Sequence, residues 1–194
     1  MSGSHSPILQ LIGRLWMRGF GWDVKAALPD EKKYIMVGGP HTSNWDFPFG
    51  LALFYVLDIK LSWMGKSALF KPPFGTLMRA LGGVAIDRNS QSGVVEQMVD
   101  KFAQADDLII GLAAKGTRKK TQYWKSGFYW IAYKANVPIV CCYLDYKKKC
   151  ANIGLTIMPT GNVSADMDLI RAFYQGVEGK RPENADNIRL KEEE

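Results

Sequence analysis

The chain has two histidines, and one of them, His5, sits in the short polar stretch that precedes Pro7. His41 is therefore the candidate imidazole base, histidine being the side chain whose ordinary titration lies near neutral pH. Asp46 follows five residues later. On a regular helix that spacing would point the two side chains apart, because helical neighbours fall three and four residues along. Pro40 and the run Thr42-Ser43-Asn44 predict instead a turn leading into a helix capped near Ser43 or Asn44. Such a turn can fold His41 back over the helix start. Asp46 would then accept a hydrogen bond from Nδ1, and Nε2 would be free to take a proton from a hydroxyl or thiol. Taken alone, the pair reads more simply as a histidine satisfying a turn and an aspartate stabilising a helix N-terminus.

Two further clusters carry charge in suggestive places. Asp87-Arg88 follows the apolar Val84-Ala85-Ile86. Between Leu112 and Ser126 stand five cations (Lys115, Arg118, Lys119, Lys120, Lys125) and no acid. That run could face phosphate on a small substrate, a membrane surface or a nucleic acid. Lys147-Lys148-Lys149, flanked by Asp145, reads as a solvated turn.

The elements that must hold these groups follow from the periodicity. Helical patterns span Pro7 to Trp22, Trp45 to Leu57, Phe74 to Leu81, Ser92 to Ala103, Gly127 to Ala135 and Ala165 to Tyr174. Short apolar runs at Tyr34 to Val37, Ile59 to Met64, Val84 to Ile86, Leu108 to Ala113, Pro138 to Leu144 and Ile153 to Met158 predict strands. Alternation of the two implies an α/β fold, a single domain over residues 1–194 with a mainly parallel or mixed central sheet flanked by helices. Residues 1–6 and about 179–194 are expected to be poorly ordered. In such sheets ligands gather beyond the carboxyl ends of the strands. The segments holding His41 to Asp46, Asp87-Arg88 and Gly116-Thr117-Arg118 all lie at such ends.

This ordered set resembles the glycerolipid acyltransferase family: His41-x-x-x-x-Asp46, then Gly83-Val-Ala-Ile-Asp87-Arg88, then Gly116-Thr117-Arg118, then Val137-Pro-Ile-Val140. The resemblance runs from about Met36 to Val140. It implies an acyl group moved from an acyl thioester, of coenzyme A or acyl carrier protein, to a hydroxyl of a lysophospholipid-like acceptor. His41 would be the general base and Asp46 would orient it. Arg88 and Arg118 would hold the acceptor's anionic head, with Lys66 and Lys125 as weaker candidates. Gly116 and Thr117 would line the same pocket, where glycine lets backbone amides approach. No cofactor is implied.

One block departs from the family pattern. Where the family usually has Pro-Glu before Gly-Thr-Arg, this chain has Ala114-Lys115. Lys115 is expected to bind an anion of a different acceptor or to weaken the activity. Two other functions therefore stand beside acyl transfer: a catalytically weak anionic-lipid binder, and a thioesterase using water as acceptor with the same His-Asp pair.

Composition excludes several classes. With 47% hydrophobic and 23% charged residues the chain can bury a real core and is not a disordered polymer. Its longest apolar run, Phe47 to Leu57, falls short of the roughly 20 residues a membrane span needs. No signal peptide is apparent, so a cytoplasmic location, peripheral on the inner membrane surface, is expected. The cysteines, Cys141, Cys142 and Cys150, suit reduced thiols near a strand and match no zinc spacing, so no metal is expected. No serine or cysteine sits in a nucleophile elbow, so a covalent acyl-enzyme is not required. The aromatics Trp124, Phe128, Tyr129 and Trp130 stand at helical spacing and read as core, which argues against nucleic acid as a partner. The N-terminal helix has two readings: its face of Ile8, Leu11, Ile12, Leu15 and Trp16 packs on the domain, or Leu15, Trp16, Phe20 and Trp22, with Arg14 and Arg18, lie in a membrane interface.

Overall fold

Strands at the centre of a parallel sheet are covered on both faces, so apolar side chains are needed at every position. The computed structural model, which describes residues 6–80, 82–86 and 93–194 (backbone alone at 65, 66 and 69), shows this in β2 (Lys33–Gly39). Ile35 and Val37 enter one buried cluster while Tyr34 and Met36 enter the other. β6 (Ile139–Asp145) divides in the same way, with Ile139 and Cys141 on one side and Val140 and Cys142 on the other. With β1 (Asp23–Ala26), β3 (Ser62–Lys66), β4 (Gly83–Ile86), β5 (Leu108–Leu112) and β7 (Cys150–Ile157), these strands form one seven-stranded sheet ordered β1-β7-β6-β2-β5-β3-β4. Every neighbouring pair is parallel except β6 and β7. The mixed, mainly parallel α/β sheet expected from the sequence is what forms.

One face carries α4 (Gly93–Gln104), α5 (Gly127–Ala135) and α6 (Val163–Tyr174), which contribute Met98, Phe102, Phe128, Ile131, Met167 and Ile170 to the larger core. The other face carries α1 (Pro7–Gly19) and α2 (Asp46–Val56), which supply Met17, Phe49, Ala52 and Leu53. α3 (Gly75–Ala80) lies between β3 and β4 in sequence. α1 and α2 approach closely at Gly13, where a Cβ would stand 2.8 Å from the Ala52 carbonyl oxygen. Only glycine allows that crossing.

Two expectations are corrected. β1 was not legible, because its Asp-Val-Lys-Ala sequence offers one half-buried apolar residue. It is an edge strand, held by backbone pairing to β7. The charged tail, expected to be poorly ordered from about residue 179, is instead laid across the carboxyl end of the sheet. Tyr146 N donates to Glu178 O at 2.9 Å, Arg181 N to Thr42 Oγ1 at 3.2 Å, and Trp124 N to Arg189 O at 2.9 Å. Within the tail, Leu190 is fully buried.

Candidate active site

The turn after β2 folds His41 back as its spacing implied. His41 Nδ1 lies 3.0 Å from Asp46 Oδ2, with the histidine 26% exposed and the aspartate 10%. Asp46 is the first residue of α2, and the same Oδ2 accepts the backbone N–H groups of Thr42 at 2.9 Å and Ser43 at 3.0 Å. The expected cap at Ser43 or Asn44 is thus corrected: the cap position is Trp45, and the aspartate itself gathers the preceding amides. Three donors thus converge on one carboxylate oxygen at the start of the helix. Ser43 Oγ accepts from Trp45 N at 3.2 Å and tightens the turn. Among the described residues, His41 Nε2 has no hydrogen-bond partner, so its lone pair is available to an incoming proton.

β2 and β5 are paired through Val37 and Leu112, so the turn holding His41 and the loop after β5 leave the sheet side by side. In that loop Gly116 has φ +68°, and the Lys125 side chain lies over it, 3.2 Å or less from where a Cβ would stand. Thr117 Oγ1 accepts from Lys119 N at 3.3 Å, and Arg118 is exposed. Lys66 ends β3 beside this loop, but its side chain lies outside the described residues, as does Arg88 entirely.

Lys115 is a correction. Expected to meet an anion of the substrate, it is 3% exposed, and its Nζ stands 3.1 Å from Asp186 Oδ2. It also donates to the Asn184 carbonyl oxygen. Asp186 in turn accepts from Thr121 N at 2.6 Å and from Thr121 Oγ1 at 2.9 Å. The ammonium is committed to the C-terminal strap. No local pattern could have found Asp186, which stands in a charged tail far along the chain.

Tyr146, at the end of β6, was also missed. Its ring packs edge-on against Trp22 at 4.9 Å and Phe49 at 5.8 Å, and its hydroxyl is buried beside Asp46. Burial, with the Asp46 charge, pushes the phenol far above its ordinary range. The topological rule that led to His41 applies equally to this strand end. The ring walls a cleft of about 500 Å³ that Phe20, Trp22, Trp45 and Phe49 also line, with Lys147, Lys149 and Lys180 among its lining residues. Lys147 and Lys148 otherwise form the expected turn, both backbone N–H groups donating to Asp145. Burial pushes the Cys141 and Cys142 thiols up to about 12, which keeps them protonated and poor nucleophiles.

Comparison with known proteins decides what this geometry belongs to. The family model described as Acyltransferase matches residues 23–145, more than half of the chain and all of the turn just described. The chain belongs to the acyltransferase family. The acyltransferase fold is also seen in a solved structure, the 1-acyl-sn-glycerophosphate (LPA) acyltransferase PlsC from Thermotoga maritima. That protein is 19% identical, with a TM-score of 0.57 over 88% of this chain and 75% of its own. No curated protein matches the sequence.

Proposed function

We propose that this acyltransferase moves a fatty acyl group from an acyl thioester to a hydroxyl of a lysophospholipid-like acceptor, with His41 as general base and no acyl-enzyme. The observation that carries this reading is the His41 Nδ1–Asp46 Oδ2 contact, which engages Nδ1 and leaves Nε2 without a hydrogen-bond partner among the described residues. Nε2 takes the acceptor's hydroxyl proton as the oxygen attacks the thioester carbonyl. The tetrahedral adduct collapses, the C–S bond breaks, and the departing thiolate receives that proton from the imidazolium. Asp46 fixes the tautomer and stabilises the transient positive charge. The donor is an acyl-coenzyme A or acyl carrier protein, and Arg118 and Arg88 hold the acceptor's anionic head, where guanidinium offers a paired-donor fork.

His41→Ala is expected to lower acyl transfer by about two to four orders of magnitude while the protein stays folded. Release of free coenzyme A from acyl-coenzyme A, with and without a panel of lysolipids, measures it. Release that ignores every lysolipid would identify a thioesterase. Binding of anionic lipid with no release in the unmodified protein would identify a lipid binder.

The site reaches its lipid, on this reading, by lying on the membrane surface. No helix among the described residues is long and apolar enough to cross a membrane. α1 turns Ile8 (68%), Leu11, Ile12 and Leu15 (61%) to solvent and packs on α2 through Gly13 and Met17. α2 adds exposed Phe47 one residue after Asp46. That exposed apolar face supports insertion into a bilayer interface; Trp22, also expected there, is buried in the core instead. Replacing Leu11 and Leu15 by Asp is expected to lower the fraction sedimenting with anionic vesicles severalfold, without changing turnover of a short-chain soluble donor.

A further inference from the structure

Asp46 is fastened on one side. Its Oδ2 holds His41 Nδ1, Thr42 N and Ser43 N. Its Oδ1 is buried with no hydrogen-bond partner among the described residues, and so is the hydroxyl of Tyr146. The two groups lie close enough for the Asp46 charge to act on the phenol, but no hydrogen bond joins them. A buried donor and a buried acceptor, adjacent and both unmade, are an unusual pairing. Terminal carboxylate torsions have broad wells, so donors on one oxygen leave the group free to swing. Tyr146 is not free in the same way. Its ring packs edge-on against the stacked pair of Trp22 and Phe49, the latter one turn beyond Asp46 on α2, and its backbone N–H is tied to Glu178.

We propose that Tyr146 is a positioning residue: its hydroxyl donates to Asp46 Oδ1 and holds the carboxylate so that Oδ2 stays on His41 Nδ1 as the proton moves. The proposal rests on His41 acting as the base. Burial and the Asp46 charge keep the phenol protonated, and hence a donor, at every working pH. The hydrogen bond also disperses the carboxylate's charge. Without it Asp46 would hold an imidazolium more strongly, and the base would stay protonated to higher pH. The other charges facing Tyr146 are Lys180, whose Nζ stands 5.6 Å from the ring centre, and Lys147, Lys149 and Glu178 around the same cleft. Lys147 pairs with Glu178 at 3.2 Å, and all four persist when only the hydroxyl is removed.

Tyr146→Phe is expected to lower kcat about tenfold with both KM values within about twofold. The acidic limb of its pH–rate profile moves upward by a few tenths of a unit or more. A ring-fluorinated tyrosine at position 146 keeps the packing and strengthens the donor, so the limb moves downward. These opposed shifts, in folded proteins, establish the role. A limb unmoved in both overturns it, whatever happens to kcat, because a packing role alone would leave the profile in place. His41→Ala in the same assay separates the two readings. Turnover retained there removes the base and this proposal together; turnover lost there, with both Tyr146 profiles unmoved, removes only Tyr146.

Discussion

Two loops leave neighbouring strands at the same end of the sheet, and they are built in opposite ways. The turn after β2 closes on itself: Asp46 is reached by backbone groups three and four residues earlier, and His41 joins them. The loop after β5 closes on something distant. Lys115 reaches an acceptor 69 residues along the chain, and Thr121 a carboxylate 65 residues along. A local constellation is written in spacing and turn residues, so His41 and Asp46 could be placed from sequence. A cation's distant partner is written nowhere near it.

The difference also separates two fates of positive charge within four residues of the same loop. Lys115 is buried and paired, while Arg118 is exposed with no ion pair or side-chain hydrogen bond among the described residues. Breaking a buried pair by removing one partner leaves the other charge uncompensated. Lys115→Met is therefore expected to destabilise the protein by about 3–5 kcal/mol, read from the midpoint of urea unfolding. Adding Asp186→Asn, which removes that charge but keeps an acceptor for Thr121, is expected to recover most of the loss. If Lys115→Met unfolds like the unmodified protein and instead loses affinity for the acceptor, Lys115 faces the ligand and the contrast between the loops is gone.

The same reasoning shows what was legible of the fold. Strands buried on both faces announce themselves as apolar runs, so β2, β5 and β6 were placed to within two residues. β1 is held by backbone pairing and one half-buried residue, Val24, and carries no such pattern. The C-terminal strap looked like a solvated tail because its composition is charged. Its order comes from Leu190 and Ile188, which pack into the larger core, and from Asp186 meeting Lys115. Neither is periodic. The N-terminal helix was legible as an amphipathic helix, but its sequence left open whether the domain or a membrane interface received its apolar face. α1 docks by the edge that holds Gly13, Trp16 and Met17, with the tight crossing at Gly13.

Arg118 offers the smaller and cleaner test of the comparison. Because it is exposed and makes no described pair, Arg118→Ala is expected to change stability by no more than about 0.5 kcal/mol. If its guanidinium meets the acceptor's anionic head, the contact is worth roughly 1.5–3 kcal/mol, so apparent acceptor affinity falls about tenfold or more. With the donor saturating, the loss appears in the acceptor's KM and leaves kcat nearly intact, as expected for binding realised equally before and during the reaction. Salt sharpens the reading: an exposed contact is screened, so the gap between Arg118→Ala and the unmodified protein narrows as ionic strength rises. The Lys115 variant, whose defect is buried, keeps its stability loss at high salt. Acceptor saturation curves that coincide for Arg118→Ala and the unmodified protein at low salt would place the anion site away from this loop, leaving Gly116 and Thr117 to shape only the backbone there.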